Sequence, residues 1–246
     1  MTLDLSTTPR LFVDADLAGG GVVTLPPPAS HYLASVMRRV AGDSVRLFDD
    51  RSGEWHGIVV LAHRKATTVR LDARLSPREA VADLWLCAAP LKRGRIDWVA
   101  EKACELGVAR FVPVVTARTV AGRLNLDRLR AHMVEAAEQC GRTALPVLAE
   151  PVALAKLLAD WEPGRALIFA DETGGAPLAE TLRGVPAPAA IVIGPEGGFT
   201  PDERASIRAL AATVAVSLGP RILRADTAAV AALAVWQAMA ELTRTP

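Results

Sequence analysis

The sequence predicts an α/β protein in two parts: a small β-barrel, then an α/β domain with a largely parallel sheet. Three observations carry that prediction. Up to Asp72 the chain is a series of short apolar runs cut by Gly, Pro and Asp. Beyond Asp83, buried strand-like runs alternate with helical stretches, the order expected of strands joined by crossovers. Two of the later strands end in Gly-Pro turns that lead directly into helix starts.

In the first part, residues 1–72, the runs Arg10–Val13, Val22–Leu25, Val45–Phe48, Trp55–Leu61 and Thr67–Leu71 read as strands, with one helix at Ser30–Val40. Arg10, Arg38, Arg39, Arg46, Arg64, Lys65 and Arg70 make this part locally basic, either a merely solvated face or a grip on phosphates. The polar stretch Ala73–Asp83 reads as a linker and opens the second part, residues 73–246.

There Leu84–Ala89, Arg110–Val115, Ala166–Ala170, Ala189–Ile193 and Thr213–Leu218 read as buried strands. Ile96, Val99, Ala100, Ala103 and Cys104 recur at i, i+3, i+4, i+7 and i+8, one apolar helix stripe closed by Gly107. Leu129, Met133, Ala136, Ala137 and Cys140 repeat the pattern before Gly141, so both cysteines are read as core packing. The helix Ala228–Leu242 is apolar around most of its circumference, through Val230, Leu233, Ala234, Trp236 and Met239. That exceeds what one sheet face needs and predicts a homodimer.

Composition narrows the function. Of 246 residues, 51% are hydrophobic and 22% charged, ample material for a core. The start, MTLDLSTTPRLFV, has no apolar h-region, so no signal peptide is expected. No run of about 18 apolar residues demands a membrane span. Cys87, Cys104 and Cys140 form no CxxC pair; neither a disulfide framework nor a Cys-based zinc site is expected, and a reducing cytoplasm is. His31, His56, His63 and His132 show no HExxH spacing, and no metal site is expected. The net charge of +1 excludes RNA binding through bulk charge and leaves it to local patches.

The chemistry concentrates in two stretches. In IVIGPEGGFTPDE (Ile191–Glu203) a buried strand ends in three glycines and one carboxylate. Thr200-Pro201-Asp202-Glu203 then carries a capping box. Gly194, Gly197 and Gly198 allow close approach of a ligand to the backbone at the edge of an open α/β sheet where ligands bind, or serve only a tight chain reversal. The turn has neither the lysine of a phosphate loop nor the spacing of a dinucleotide fingerprint. In VSLGPRILRADTAAVAAL (Val216–Leu233) a second strand-turn-helix unit follows. If the two units are adjacent, Ile193, Leu218, Ile222 and Leu223 would hold a flat ring while backbone groups read its polar edge. Arg221 and Arg224 would face solution or pair with Asp226.

IGPEGGFTPDE followed by LGPRILRADTAA resembles the RsmE family of 16S ribosomal RNA uridine-N3 methyltransferases, in the SPOUT superfamily. HYLASVMRRVAGDSVRLFDD, LKRGRIDWVAEKACELGV and EAAEQCGR agree in order, so the resemblance spans nearly the whole chain. The sequence departs from the family in having Asp226 where Glu is usual and Ala117 where an acidic residue is usual.

The resemblance implies a PUA-like barrel, a SPOUT-type α/β domain with a C-terminal trefoil knot, a homodimer, and S-adenosylmethionine bound in the knotted loops. Ile193, Gly194 and Gly198 would line the cofactor from the first loop, and Leu218, Gly219, Ile222 and Leu223 from the second. Asp171-Glu172 is a lesser candidate. Uracil N3 must lose a proton before or during attack, so Arg224 would stabilise the anion. Glu196 would either take the proton or hold the turn by bonding local amides. Arg10, Arg38 and Arg39 would grip phosphates, with Arg93, Arg118 and Arg142 continuing the track over 16S rRNA in the 30S subunit. A non-catalytic RNA-binding assembly factor and a tRNA methyltransferase are the alternatives.

Overall fold

The computed structural model describes residues 7–92, 94–120, 122–185 and 187–244, with only the backbone of 184 and 241–244. Two compact units result. One takes the chain up to Ala80 together with Ala137–Leu145, the other the remainder.

In the first unit β1 (Arg10–Phe12), β2 (Val22–Thr24), β3 (Ser44–Phe48), β4 (Glu54–Leu61) and β5 (Thr68–Ser76) form one sheet in the order β1-β3-β4-β5-β2. β1 runs parallel to β3; the other pairs are antiparallel. Alternate residues point to one face, where Leu11, Val23, Val45, Leu47, Val59, Val69 and Leu71 close a core around Leu33. β5 continues to Ser76, so the stretch read as a linker begins as strand, and the first segment of this unit runs to Ala80.

The helix expected at Ser30–Val40 is shorter and starts earlier. Proline at the first helical positions starts α1 (Pro27–His31). A π-helical turn follows, Met37 N–H donating to the Tyr32 carbonyl at 2.9 Å, and Arg38 leaves the helix at φ 53°. Its positive φ is incompatible with a continued helix.

The second unit is built on β6 (Leu84–Ala88), β7 (Arg110–Val115), β8 (Val147–Leu148), β9 (Val152–Ala153), β10 (Ala166–Ala170), β11 (Ala176–Pro177), β12 (Ala189–Ile193) and β13 (Thr213–Ser217). The main sheet runs β11-β13-β10-β12-β6-β7-β8, β9 also pairs with β7, and every pairing is parallel. β12 is buried along its whole length, the mark of a strand covered on both faces. Around the sheet lie α2 (Arg95–Glu105), α3 (Leu126–Cys140), α4 (Leu154–Ala159), α5 (Leu178–Thr181), α6 (Pro201–Ala209) and α7 (Ala225–Arg244).

The α2 stripe is buried as its spacing predicts. On α3 the stripe holds through Ala137, but Cys140 at its last turn is exposed, so only Cys87 and Cys104 are core cysteines. On α7, Ala229, Ala232, Leu233 and Trp236 are buried in this unit, leaving Val230, Val235 and Met239 half-buried and Ala234 exposed. Among the described residues no helix is long and apolar enough to cross a membrane.

Candidate active site

Three strand ends meet at one cavity of about 330 Å³ in the second unit. β12 delivers Ile193 and the turn Gly194–Phe199. β13 delivers Ser217 and the loop Leu218–Arg224. β10 delivers Ala170, Asp171 and Glu172. β10 lies between β12 and β13, so the two glycine-bearing loops are not neighbours, as the sequence suggested, but face each other across the end of a third strand. All of Ile193, Gly194, Gly198, Leu218, Gly219, Ile222, Leu223, Glu196 and Arg224 line the cavity. Ile222 does so from the rim, being 86% exposed.

The glycines divide by cause. A Cβ on Gly194 would lie 2.7 Å from the buried Phe199 ring, which packs edge-on against Phe169. Gly194 is therefore required by the protein's own packing. Gly198 has φ 67°, and a Cβ there would approach the Glu172 carboxylate at 2.8 Å. This is the bare backbone that opens to the cavity.

Charge is fixed around the loops by named pairs. The Thr200 hydroxyl accepts from Glu203 N–H at 3.2 Å and the Glu203 carboxylate from Thr200 N–H at 2.9 Å, the expected capping box. Arg118 donates to the Gly197 carbonyl at 2.8 Å, bracing the turn. Asp171 has no exposed side-chain surface and takes two hydrogen bonds from Arg208 at 2.6 and 2.9 Å and two from Thr173 at 2.8 and 2.9 Å. Burial pushes its carboxyl up, but these bonds and nearby Arg204 outweigh that and hold it below an aspartate's usual value. Arg204, Arg208 and Phe199 are site residues the sequence reading missed. The i, i+4 spacing of the two arginines on α6, opposite a strand ending in Asp-Glu, was the available signal.

Among the described residues Glu196 bonds no local amide; Glu203 accepts from Thr200 N–H at the helix start and from Ala117 N–H. Among the described residues the partner of Glu196 is Arg95, at 3.9 Å, which also stands 3.8 Å from Asp226. Asp226 thus turns to Arg95 and not to Arg221 or Arg224. Arg221 and Arg224 are exposed and form no ion pair among the described residues.

Two of the arginines assigned to RNA are structural. Arg10 is 8% exposed, ion-paired with Glu54 at 2.8 Å, and donates to the carbonyls of Ala137 and Arg142 at 2.5 and 2.7 Å. Its guanidinium stacks 3.9 Å from the centre of the Phe48 ring. Arg142 is 5% exposed with Nε 3.3 Å from Glu79. Neither presents its charge to a phosphate, because each is consumed inside the first unit. Arg38 is exposed and Arg39 half-buried in that unit, Arg118 is exposed in the second, and Arg93 lies outside the described residues.

Among the described residues no group of three or more His, Cys, Asp or Glu could hold a metal ion. The cavity does suit S-adenosylmethionine: apolar walls from Ile193, Leu218 and Leu223, no side chain at Gly198 (whose N–H is held by the Pro195 carbonyl at 2.9 Å), and both signs of charge at its edge.

Residues 77–237 match the RNA methyltransferase domain family, and residues 25–72 match the RNA methyltransferase PUA domain. A Synechocystis protein, ribosomal RNA small subunit methyltransferase E, is 32% identical over 94% of this chain and 78% of its own. The chain belongs to the ribosomal RNA small subunit methyltransferase E family. The family's protein from Rickettsia conorii is 27% identical over 92% of this chain and 93% of its own. The family's protein from Neisseria gonorrhoeae, solved bound to S-adenosylmethionine, superposes with a TM-score of 0.84 at 25% identity, covering 94% of this chain and 98% of that one. A Legionella pneumophila structure in complex with the same cofactor gives 0.83 at 28% identity, covering 94% and 97%. Both parts of the fold, the curled N-terminal sheet and the α/β domain with its parallel sheet, are thus family features.

Proposed function

We propose that this protein methylates N3 of a uridine in 16S rRNA of the small ribosomal subunit, using S-adenosylmethionine. The observation that carries the reading is the cavity enclosed by Gly194–Phe199 and Leu218–Arg224 in a chain of this family. In keeping with it, these loops would form the C-terminal trefoil knot of the SPOUT superfamily. The supporting feature is the crowding of three loops onto one cavity.

The cofactor, when bound, supplies a methyl group already activated by its sulfonium. The protein's task is then alignment and charge. Ile193, Gly198, Leu218, Gly219 and Leu223 would hold the cofactor, with Ile222 closing the rim. Arg224, without an ion-pair partner among the described residues, would stabilise the uracil anion formed on loss of the N3 proton. Glu196, half-exposed beside Arg95, would accept that proton. The target base must be unstacked to reach the cavity. Arg38, Arg39 and Arg118 would hold the surrounding phosphates.

The homodimer belongs to this proposal, supported by the half-buried Val230, Val235 and Met239 of α7. So does a cytoplasmic location, supported by three free cysteines. The test is incubation with labelled cofactor and small subunits lacking the modification, followed by digestion to nucleosides. Label in 3-methyluridine is expected; label elsewhere, or none, overturns the reading.

A further inference from the structure

The third wall of the cavity raises a question the two loops do not answer. Ala170, Asp171 and Glu172 reach it from the end of β10, between the strands that carry the loops. Asp171 is buried and saturated by Arg208, Arg204 and Thr173. Glu172 is not: its side chain is 48% exposed, and one oxygen alone is engaged among the described residues, Oε1 to Arg204 Nη2 at 3.1 Å. Arg204 itself rests 3.4 Å from Asp171, so the Glu172 carboxylate is held from behind by an arginine that cannot readily leave. The same oxygen sits 2.8 Å from the place a Cβ on Gly198 would take, against the exposed backbone of the first loop. The second oxygen, Oε2, is left to accept hydrogen bonds from whatever fills the cavity.

A carboxylate in this position selects among the groups of a nucleoside cofactor. It repels the carboxylate of a methionine tail though it would attract the ammonium, and the apolar Ile193, Leu218 and Leu223 suit the flat base. A vicinal diol offers two adjacent donors to one carboxylate, the pairing that acidic residues near strand ends make with ribose in open α/β sheets. We propose that Glu172 binds the ribose hydroxyls of S-adenosylmethionine and thereby selects a ribonucleoside cofactor. The inference rests on the function proposed above and adds to it the residue that reads the sugar. It also gives the Glu172–Arg204–Asp171 chain a purpose, since a reader of the diol must be held in place before the ligand arrives.

Calorimetry with S-adenosylhomocysteine and its 2′-deoxy and 3′-deoxy counterparts tests this without turnover. The parent protein is expected to bind the ribose form about tenfold or more tightly than either deoxy form, the usual worth of a hydrogen bond to a charged group. In Glu172→Gln and Glu172→Ala, checked for folding by circular dichroism, the ribose form should weaken while the deoxy forms change little, so the preference collapses. If the variants keep the parent's preference, whether overall affinity falls or not, Glu172 braces Arg204 or meets another group, and the proposal is overturned. A parent that shows no preference overturns it equally. A folded parent that binds none of the three compounds sinks the methyltransferase reading itself, a result distinct from either.

Discussion

The Glu203 carboxylate accepts a hydrogen bond from the Ala117 backbone N–H at 2.7 Å. The other oxygen accepts from Thr200 N–H, so one side chain caps α6 and ties the loop after β7 to the start of that helix. This tie uses the backbone at position 117, so it does not depend on the alanine side chain there. Glu203→Ala should therefore cost more than an ordinary cap, about 1–2 kcal/mol, with Thr200→Ala near 1 kcal/mol. Urea unfolding of both variants measures the difference. Ala117→Gly should lie within about 1 kcal/mol of the parent, because the bond is made by the main chain.

Arg10 and Arg38 should behave oppositely although both are arginines of the first unit. Removing Arg10 leaves Glu54 buried with Arg46 alone, at 3.0 Å, and orphans the Ala137 and Arg142 carbonyls. Arg10→Ala should destabilise by about 3 kcal/mol or more. Arg38 is exposed; Arg38→Glu should leave stability and cofactor affinity alone, weaken RNA binding, and lower its salt dependence by about one phosphate contact. Chemical denaturation and RNA titrations at several salt concentrations separate the two.

Asp171 makes stability depend on acid. Its carboxyl is held below the usual aspartate value in the folded protein. Its contribution is therefore complete above the unfolded value, about pH 4, and is lost as pH falls through the lower folded value. The melting temperature of Asp171→Asn should lie below the parent's at neutral pH, and the gap should narrow below about pH 4. A gap constant from pH 7 to pH 3 would refute the assignment.

Much of this was legible in the residues. β7, β10 and β12 match their expected limits because strands buried on both faces are continuous apolar runs with abrupt polar ends. The two loops were legible because a glycine-rich turn between strand and helix has few uses. The two-residue strands β8, β9 and β11 were not, since no period shows in so few residues. Strand order was not, because nothing local tells β13 to pair with β10 and leave β12 to its far side. The burial of Arg10 depends on Glu54, 44 positions away, and on carbonyls 127 and 132 positions away. From the sequence such a residue looks the same as a surface arginine.

The sharpest test of the site is Gly198. A valine there meets two obstacles: φ 67°, which costs a β-branched residue about 1–2 kcal/mol, and the Glu172 carboxylate, 2.8 Å from the new Cβ. The second is one side chain, tied by Oε1 to Arg204 at 3.1 Å and 48% exposed; displacing it costs that partly exposed bond, so the fold should persist with a modest loss of stability. What cannot be relieved is occupation of the cavity wall by two methyl groups where the backbone was bare. Gly198→Val should therefore lose cofactor affinity by about a hundredfold or more, the scale of a side chain displacing a well-packed ligand, while its circular dichroism stays that of the parent. Gly198→Ala meets the same φ and the same carboxylate with less bulk, and should fall between. If folded Gly198→Val binds S-adenosylmethionine like the parent, the turn serves chain reversal alone, and the cofactor must lie elsewhere.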